Sequence, residues 1–372
     1  MSASSARTWD ETAPRRPPLW AAAVTMALLA VGFSRSRALY PARSMPRDRS
    51  PPAIAAAEPG RGRSATIPSE VPVRGWKDIL LRIWKNIGKD RVVVVAAGVT
   101  FYSILALFPA IAALVALYGL FADPAAITSH LDSIAGVVPG GAIEVMRDQI
   151  TRVASQGRTT LGVTFIVSLL VSLWSANAGI KSLFDALNLV YNESEKRSFV
   201  KLNLVSLTFT LLAIIFVLLA IGAMVVVPIA LNFLGLGGAT EMIFKIARWP
   251  ALLVVVAWAL ALIYRYGPSR EKPRWRWISW GSALAAVCWI GVSILFSWYA
   301  ENFGSYNKTY GSLGAIIAFM FWIWLSIIVV LIGGEINAET EHQTVRDTTT
   351  GRPKPMGARG ATMADTVGAK QD

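Results

Sequence analysis

Residues 310–337 read YGSLGAIIAFMFWIWLSIIVVLIGGEIN, and the fold is decided there. Between Lys308 and Glu335 there are 26 residues without a formal charge. An α-helix rises about 1.5 Å per residue and the hydrocarbon core of a bilayer is roughly 30 Å thick, so about 20 such residues cross it. Gly311, Ser312 and Gly314 open the run, and small residues let another backbone approach closely. Trp322 and Trp324 sit near its middle instead of in an interfacial belt, which predicts contact with protein. Gly333 and Gly334 then lead into Glu335 and Asn337, a carboxylate and an amide at the depth where lipid ends. A soluble core helix does not need so long an uncharged run. This is a membrane-spanning helix.

Composition agrees. Of 372 residues, 54% are hydrophobic and only 16% are charged, and the mean hydropathy is +0.49. Soluble domains carry roughly 25% charge, so lipid is the solvent of most of this chain. The lone cysteine, Cys288, excludes an internal disulfide framework. The two histidines, His130 and His342, lie far apart with no cysteine beside them, so no metal site and no cofactor are expected. The net charge of +13 would suit nucleic acid, but residues 1–91 alone hold 16 Lys/Arg against 7 Asp/Glu. Basic segments beside a span attract anionic headgroups and set topology, so the expected partner is membrane lipid and not nucleic acid.

Outward from that helix, five more runs read as spans. Residues 92–122 are uncharged, with Pro109 near the centre predicting a tilt or kink. Tyr102 and Ser103 are polar groups in that run, and in lipid such groups turn to a partner helix. The second run, 159–180, leaves the membrane through Asn177, Lys181, Asp185 and Asn188, one stripe at 4-4-3 spacing. Lys181 and Asp185 are placed to pair at i,i+4. The stripe is either a wet exit face or a polar track facing a cavity between helices. The third run, 202–240, should close near Leu234, ahead of Gly235, Gly237 and Gly238. The fourth, 249–264, has only 16 residues and is either a span or a re-entrant segment. In the fifth, 277–300, Gly281 and Ala285 offer a small-xxx-small packing surface.

The flanks complete a three-part organisation. Residues 1–75, rich in Arg, Pro, Ser and Ala, read as a disordered basic arm holding one short apolar segment, 19–33. Residues 76–340 form an all-α, polytopic domain of six transmembrane helices, to which 19–33 would add a further hydrophobic segment. Residues 76–90 place Ile79, Ile83 and Ile87 at helical spacing, an amphipathic helix on the membrane surface. Two short amphipathic helices are expected across 124–155, and residues 341–372 read as a disordered polar tail. Lys/Arg number 19 in 76–91, 181–201, 265–276 and the tail, against six in the intervening loops. Both termini of the six-span core are therefore expected in the cytoplasm.

Three strings also resemble conserved blocks of the YihY/BrkB family of bacterial inner-membrane proteins. They are DRVVVVAAGVTFYSILALFPAIAALVALYGLF at 90–121, SLWSANAGIKSLFDALNLVYNESEKRSF at 172–199, and YGSLGAIIAFMFWIWLSIIVVLIGGEINAE at 310–339. The resemblance covers roughly residues 76–340. It implies a multi-pass inner-membrane protein with six spans and cytoplasmic termini, some of whose relatives are linked with virulence and suggested to transport. Part of that family has also carried a tRNA-processing ribonuclease label. A ribonuclease needs paired histidines, a metal held by carboxylates or a Lys/His constellation, and no such cluster is visible here. The residues point away from an enzyme. They point to a transporter or conduit whose route or helix interfaces involve Tyr102, Ser103, Pro109, Asn177, Lys181, Asp185, Asn188, Glu335 and Asn337. The alternative is a non-transporting scaffold that supports envelope integrity. A homo-oligomer is compatible with either.

Overall fold

The computed structural model describes residues 53, 58–121, 158–233, 239–302 and 312–371, and side chains for most of them. All of these belong to the compact unit Ser44–Asp372. The apolar segment at 19–33, the amphipathic helices expected at 124–155 and the side chain of Pro109 lie outside the described residues. Among the described residues the architecture is all-helical, with a single isolated antiparallel bridge between Pro273 and Thr349.

A short 3-10 turn, Pro68–Glu70, precedes α1 (Val73–Lys89), which leads into α2 (Val92–Phe121). Then come α3 (Arg158–Val190), α4 (Phe199–Phe233), α5 (Ala239–Tyr266), α6 (Trp275–Asn302) and α7 (Ser312–Glu341). One turn of helix, α8 (Thr362–Asp365), lies near the carboxyl end. Among the described residues, five stretches are long and apolar enough to cross a bilayer: Ile166–Val190, Phe199–Phe216, Trp249–Tyr266, Trp275–Tyr299 and Ile316–Glu341. A shorter apolar stretch, Val92–Ala106, belongs to α2. The helix from the 16-residue run is continuous through Pro250, so that run is helical along its length and, with its extension, long enough to span. The helix from the third run, α4, extends to Phe233, and the glycine cluster that follows lies outside the described residues.

Packing places α7 at the centre, against α1, α2, α3 and α6. Its mid-membrane tryptophans touch protein, as expected. Trp322 donates to the Ser293 hydroxyl on α6 at 3.1 Å, while Trp289 of α6 donates back to Ser326 of α7 at 3.0 Å. Trp324 donates to the Val93 carbonyl of α2 at 3.0 Å. Tyr264 of α5 donates to the Val330 carbonyl at 2.8 Å. In hydrocarbon no water competes for these donors, so each bond also fixes a helix neighbour. An apolar cluster that includes Val92, Ala96, Leu187, Leu260, Ile278 and Leu331 fills the space between the helices. Apolar side chains on the outer faces, among them Trp174, Leu211, Val254 and Leu295, are exposed where lipid would meet them.

The small-residue surface of α6 is also in use. A Cβ at Gly281 would collide with the Asn337 amide and the Gly333 carbonyl, and one at Gly333 would collide with the Tyr264 hydroxyl and Ala285. The α6–α7 approach therefore depends on glycine at both positions.

The four basic segments counted to one side of the membrane do converge. Lys196 N–H meets Ser269 Oγ, Arg274 N–H meets the Thr348 carbonyl, Val345 N–H meets the Arg63 carbonyl, and Gln371 N–H meets Asp78. Together they form a folded cap at the end of α7. Two expectations fail here. Residues 342–371 are not a disordered tail: Gln343, Thr344 and Thr348 are fully buried. Residues 58–75 are likewise packed, with Arg63 bonded to the carbonyls of Gln343 and Gly368. Polar contacts order both segments, which an apolar pattern does not reveal. The face of α1 differs too. Ile79 and Ile83 seat on Ile336 within the protein, whereas Val73, Leu80 and Trp84 are exposed.

Gly281→Leu is expected to overpack the α6–α7 contact, at about 1–3 kcal/mol or more. Purified in detergent, this variant should melt several degrees below wild type, and Gly291→Leu, at a glycine with open space around it, should not.

Candidate functional site

The last turns of α7 hold the densest set of buried polar groups. Glu335, Asn337, Glu339 and Glu341 are all at most 2% exposed. Their spacing makes two stripes, one through Glu335 and Glu339 and another through Asn337 and Glu341, each at i,i+4. The Glu339 stripe faces α1. Arg82 donates through Nε to Glu339 and through Nη2 to Gln343 Oε1 at 2.7 Å, and Asn86 donates to Glu339 at 2.8 Å. The Glu341 stripe faces the α5–α6 connection. Arg270 grips Glu341 with two nitrogens at 3.2 and 2.6 Å, and the Thr348 hydroxyl donates to it at 2.8 Å. The Arg270 guanidinium also lies 5.0 Å over the ring of Tyr191. Burial works against its charge, but Glu341 more than compensates, and Arg270 is held above the ordinary arginine value.

Glu335 is different. It is fully buried, and neither carboxyl oxygen has a hydrogen-bond partner. Its charged neighbours are Asp90, Glu339 and Lys89. Asp90, at the α1–α2 junction, is 6% exposed and has one unpartnered oxygen. Lys89 Nζ lies 3.8 Å from it. Burial pushes the Asp90 carboxyl above its usual value despite that lysine. Two further buried polar groups belong to the same stretch of the fold, the Tyr191 hydroxyl and the Asn337 Nδ2 amide, which lie next to each other. Burial also raises the Tyr191 hydroxyl.

Asn337 is half committed, because its Oδ1 accepts the Gly281 N–H at 2.9 Å. The other sequence-derived residues form a separate group around α3. Gly179 packs against the backbone of Tyr102 and Ser103, so this part of α2 meets α3 beside Asn177. Ser103 donates to its own helix at Val99 O, 3.0 Å away. Asn177 is buried, with Oδ1 unpartnered. Lys181 donates to Asn203 of α4, and the expected Lys181–Asp185 ion pair is not formed among the described residues. Asp185 itself is exposed. Asn188 accepts the Ser269 N–H at 2.7 Å and donates to Glu195 at 3.2 Å. That makes Asn188 a clamp between two loops and leaves neither end of its amide for a route. On α2 the apolar core residues Val92, Ala96 and Val99 lie between Asp90 and the Tyr102–Ser103 pair.

His342, read as a tail residue, is buried beside Glu339, its Nδ1 3.5 Å away. His130 lies outside the described residues. No group of three or more His, Cys, Asp or Glu side chains arranged to hold a metal occurs among the described residues.

The fold and this site define a polytopic helical membrane protein with a charged, folded cap at one end of its bundle. The chain belongs to the family described as virulence factor BrkB, whose model matches residues 83–357. It is 30% identical over 251 residues to YfkH of Bacillus subtilis, a protein named as ribonuclease-like, covering 65% of this chain and 88% of that one. A UPF0761 membrane protein of Haemophilus influenzae is 22% identical over 270 residues, covering 70% of this chain and 94% of its own. One from Neisseria meningitidis serogroup B is 26% identical over 271 residues, 69% of this chain and 62% of the relative. These matches and the apolar helices make it a multi-pass bacterial membrane protein. No solved structure matches.

The raised carboxyl of Asp90 has a testable sign. Its burial costs nothing below the ordinary aspartate pKa of about 3.9, and the cost grows as pH rises through the folded value. Asp90→Asn should therefore melt above wild type at pH 8, while the difference shrinks towards zero near pH 4. Thermal unfolding in detergent across that range measures it.

Proposed function

We propose that this protein is a transporter or conduit for a small solute, ion or lipid, with Glu335 as its proton- or cation-exchanging group. The observation that carries this reading is the buried carboxyl of Glu335, which meets no ion-pair partner among the described residues, has only the Asn86 amide near it as a donor, and faces Asp90. A buried charge without partners costs several kcal/mol, so such an acid rests on a proton or a bound cation. Ionisable groups at membrane depth are expensive to keep and mark pathways for that reason. Asn177, buried with a free amide oxygen, and the adjoining Tyr102 and Lys181 supply polar lining further along α2 and α3. Glu341 and Glu339 are saturated by arginines and hold the cap, so they are not part of the route.

A second reading, a scaffold without transport, is favoured by the outward face of α1. Val73, Leu80 and Trp84 are exposed there and could engage a partner protein. One relative carries a ribonuclease-like name, and a metal-assisted form of that chemistry would need a ligand group that does not occur among the described residues.

Proteoliposomes carrying an entrapped pH dye, and a second set carrying a fluorescent phospholipid, decide between these readings. Wild type should move protons or lipid faster than protein-free vesicles. Glu335→Gln and Asn177→Leu should each reduce that rate at least about tenfold, the scale of 1.4 kcal/mol in a barrier. Rates in both variants equal to wild type, or no rate above protein-free vesicles in either assay, would remove the transport reading.

A further inference from the structure

The cap contains a cavity of about 550 Å³ between the segment before α1, the α5–α6 connection and the carboxyl-terminal tail. Arg274, Arg276, Arg346, Lys354 and Arg359 line it, with Asp347 as the single acid. Such a concentration of one sign repels itself unless something neutralises it. Asp347 does little of that work, because its oxygens are already taken. It accepts the Thr349 N–H at 2.9 Å, the Thr349 hydroxyl at 2.7 Å and the Lys354 N–H at 2.8 Å, and it lies 4.0 Å from Arg359. These donors hold its carboxyl below the usual range against the opposing effect of burial.

Arg359 is buried and spent as well, donating to the carbonyls of Val345, Arg346, Lys354 and Ala364. Lys354 reaches the rim residue Glu271 only at 4.0 Å. Arg274 uses Nε on the Thr349 carbonyl at 2.9 Å, which aims its guanidinium and leaves the terminal nitrogens uncommitted. Neither it nor Arg276 nor Arg346 is in an ion pair among the described residues, and Arg276 and Arg346 are exposed. One oriented guanidinium, Arg274, and two exposed ones, Arg276 and Arg346, thus line a cavity whose backbone is fixed by the cap.

We propose that this cavity is a binding site for a phosphate-bearing ligand of at least two negative charges, a phosphomonoester or diphosphate. Planar guanidinium forks match phosphate oxygens two at a time, which a carboxylate-poor cavity of arginines favours over chloride or a single carboxylate. The site also lies at the membrane surface. Arg274 and Arg276 bracket Trp275, the first residue of the spanning stretch Trp275–Tyr299. A lipid phosphate and a soluble phosphate ester can therefore both reach it. Occupancy would tie the tail to the α5–α6 connection and the segment before α1, since the cavity draws on all three.

The test uses the full chain in detergent at near-physiological salt. In one arm pyrophosphate is titrated while thermal unfolding is followed. In the other, phosphatidic acid and phosphatidylcholine are compared by the same readout. A saturable rise in melting temperature with pyrophosphate identifies a soluble ligand, and one with phosphatidic acid but not phosphatidylcholine or pyrophosphate identifies a lipid headgroup. Either supports the site provided that Arg276→Ala/Arg346→Ala weakens the response at least tenfold. Both side chains are exposed and outside the cap's hydrogen bonds, so this variant should elute and melt as wild type without ligand. No saturable response in either arm, or an equal response in the double variant, overturns the proposal.

Discussion

Two buried ion pairs at the end of α7 determine how the rest of the molecule is arranged. Arg82–Glu339 and Arg270–Glu341 both lie almost wholly out of water. Removing one charge from such a pair leaves the other stranded, at about 3–5 kcal/mol. Glu339 and Glu341 can therefore stay at this depth only if α1 and the α5–α6 connection are held against α7. The tail then closes around them through Gln343, Thr344 and Thr348. The cap is consequently not an appendage to the bundle. It is the setting that makes an acidic end of α7 tolerable.

Glu335 shows the other side of that constraint. It is one helical turn deeper than Glu339 and on the same stripe, but no arginine reaches it. The same depth that makes the paired acids structural makes the unpaired one chemically poised. Asp90 reinforces this, because a second carboxyl nearby disfavours charge on both. Lys89 offsets part of that cost at Asp90, so Glu335 is the less compensated of the two acids.

Much of the fold was legible in the sequence, because hydrocarbon imposes a simple rule on length and charge. The uncharged runs mark α2 to α7, the Gly281/Ala285 surface marks the α6–α7 approach, and Trp322 and Trp324 announce protein contact by their depth. The positive-inside count grouped the very segments that pack together. The tail was misread for a physical reason. Its order comes from hydrogen bonds and ion pairs to residues hundreds of positions away, such as Arg63 to Gly368, and these leave no periodic apolar signature. Spacing puts Asn188 on the Asn177 stripe, while its partners, Ser269 and Glu195, are set by loop geometry that no periodic pattern records. Asp90 was passed over as the charge that ends a run. The one available signal was that it is the last acid before a span whose neighbour also carries an acid at its boundary.

Amide hydrogen exchange on the intact protein in lipid nanodiscs tests the central claim most directly. If the cap is folded as described, peptides from 342–350 and 361–368 exchange slowly, with protection comparable to that of α1. Complete exchange of those peptides within seconds, at the rate of an unstructured chain, would contradict the account.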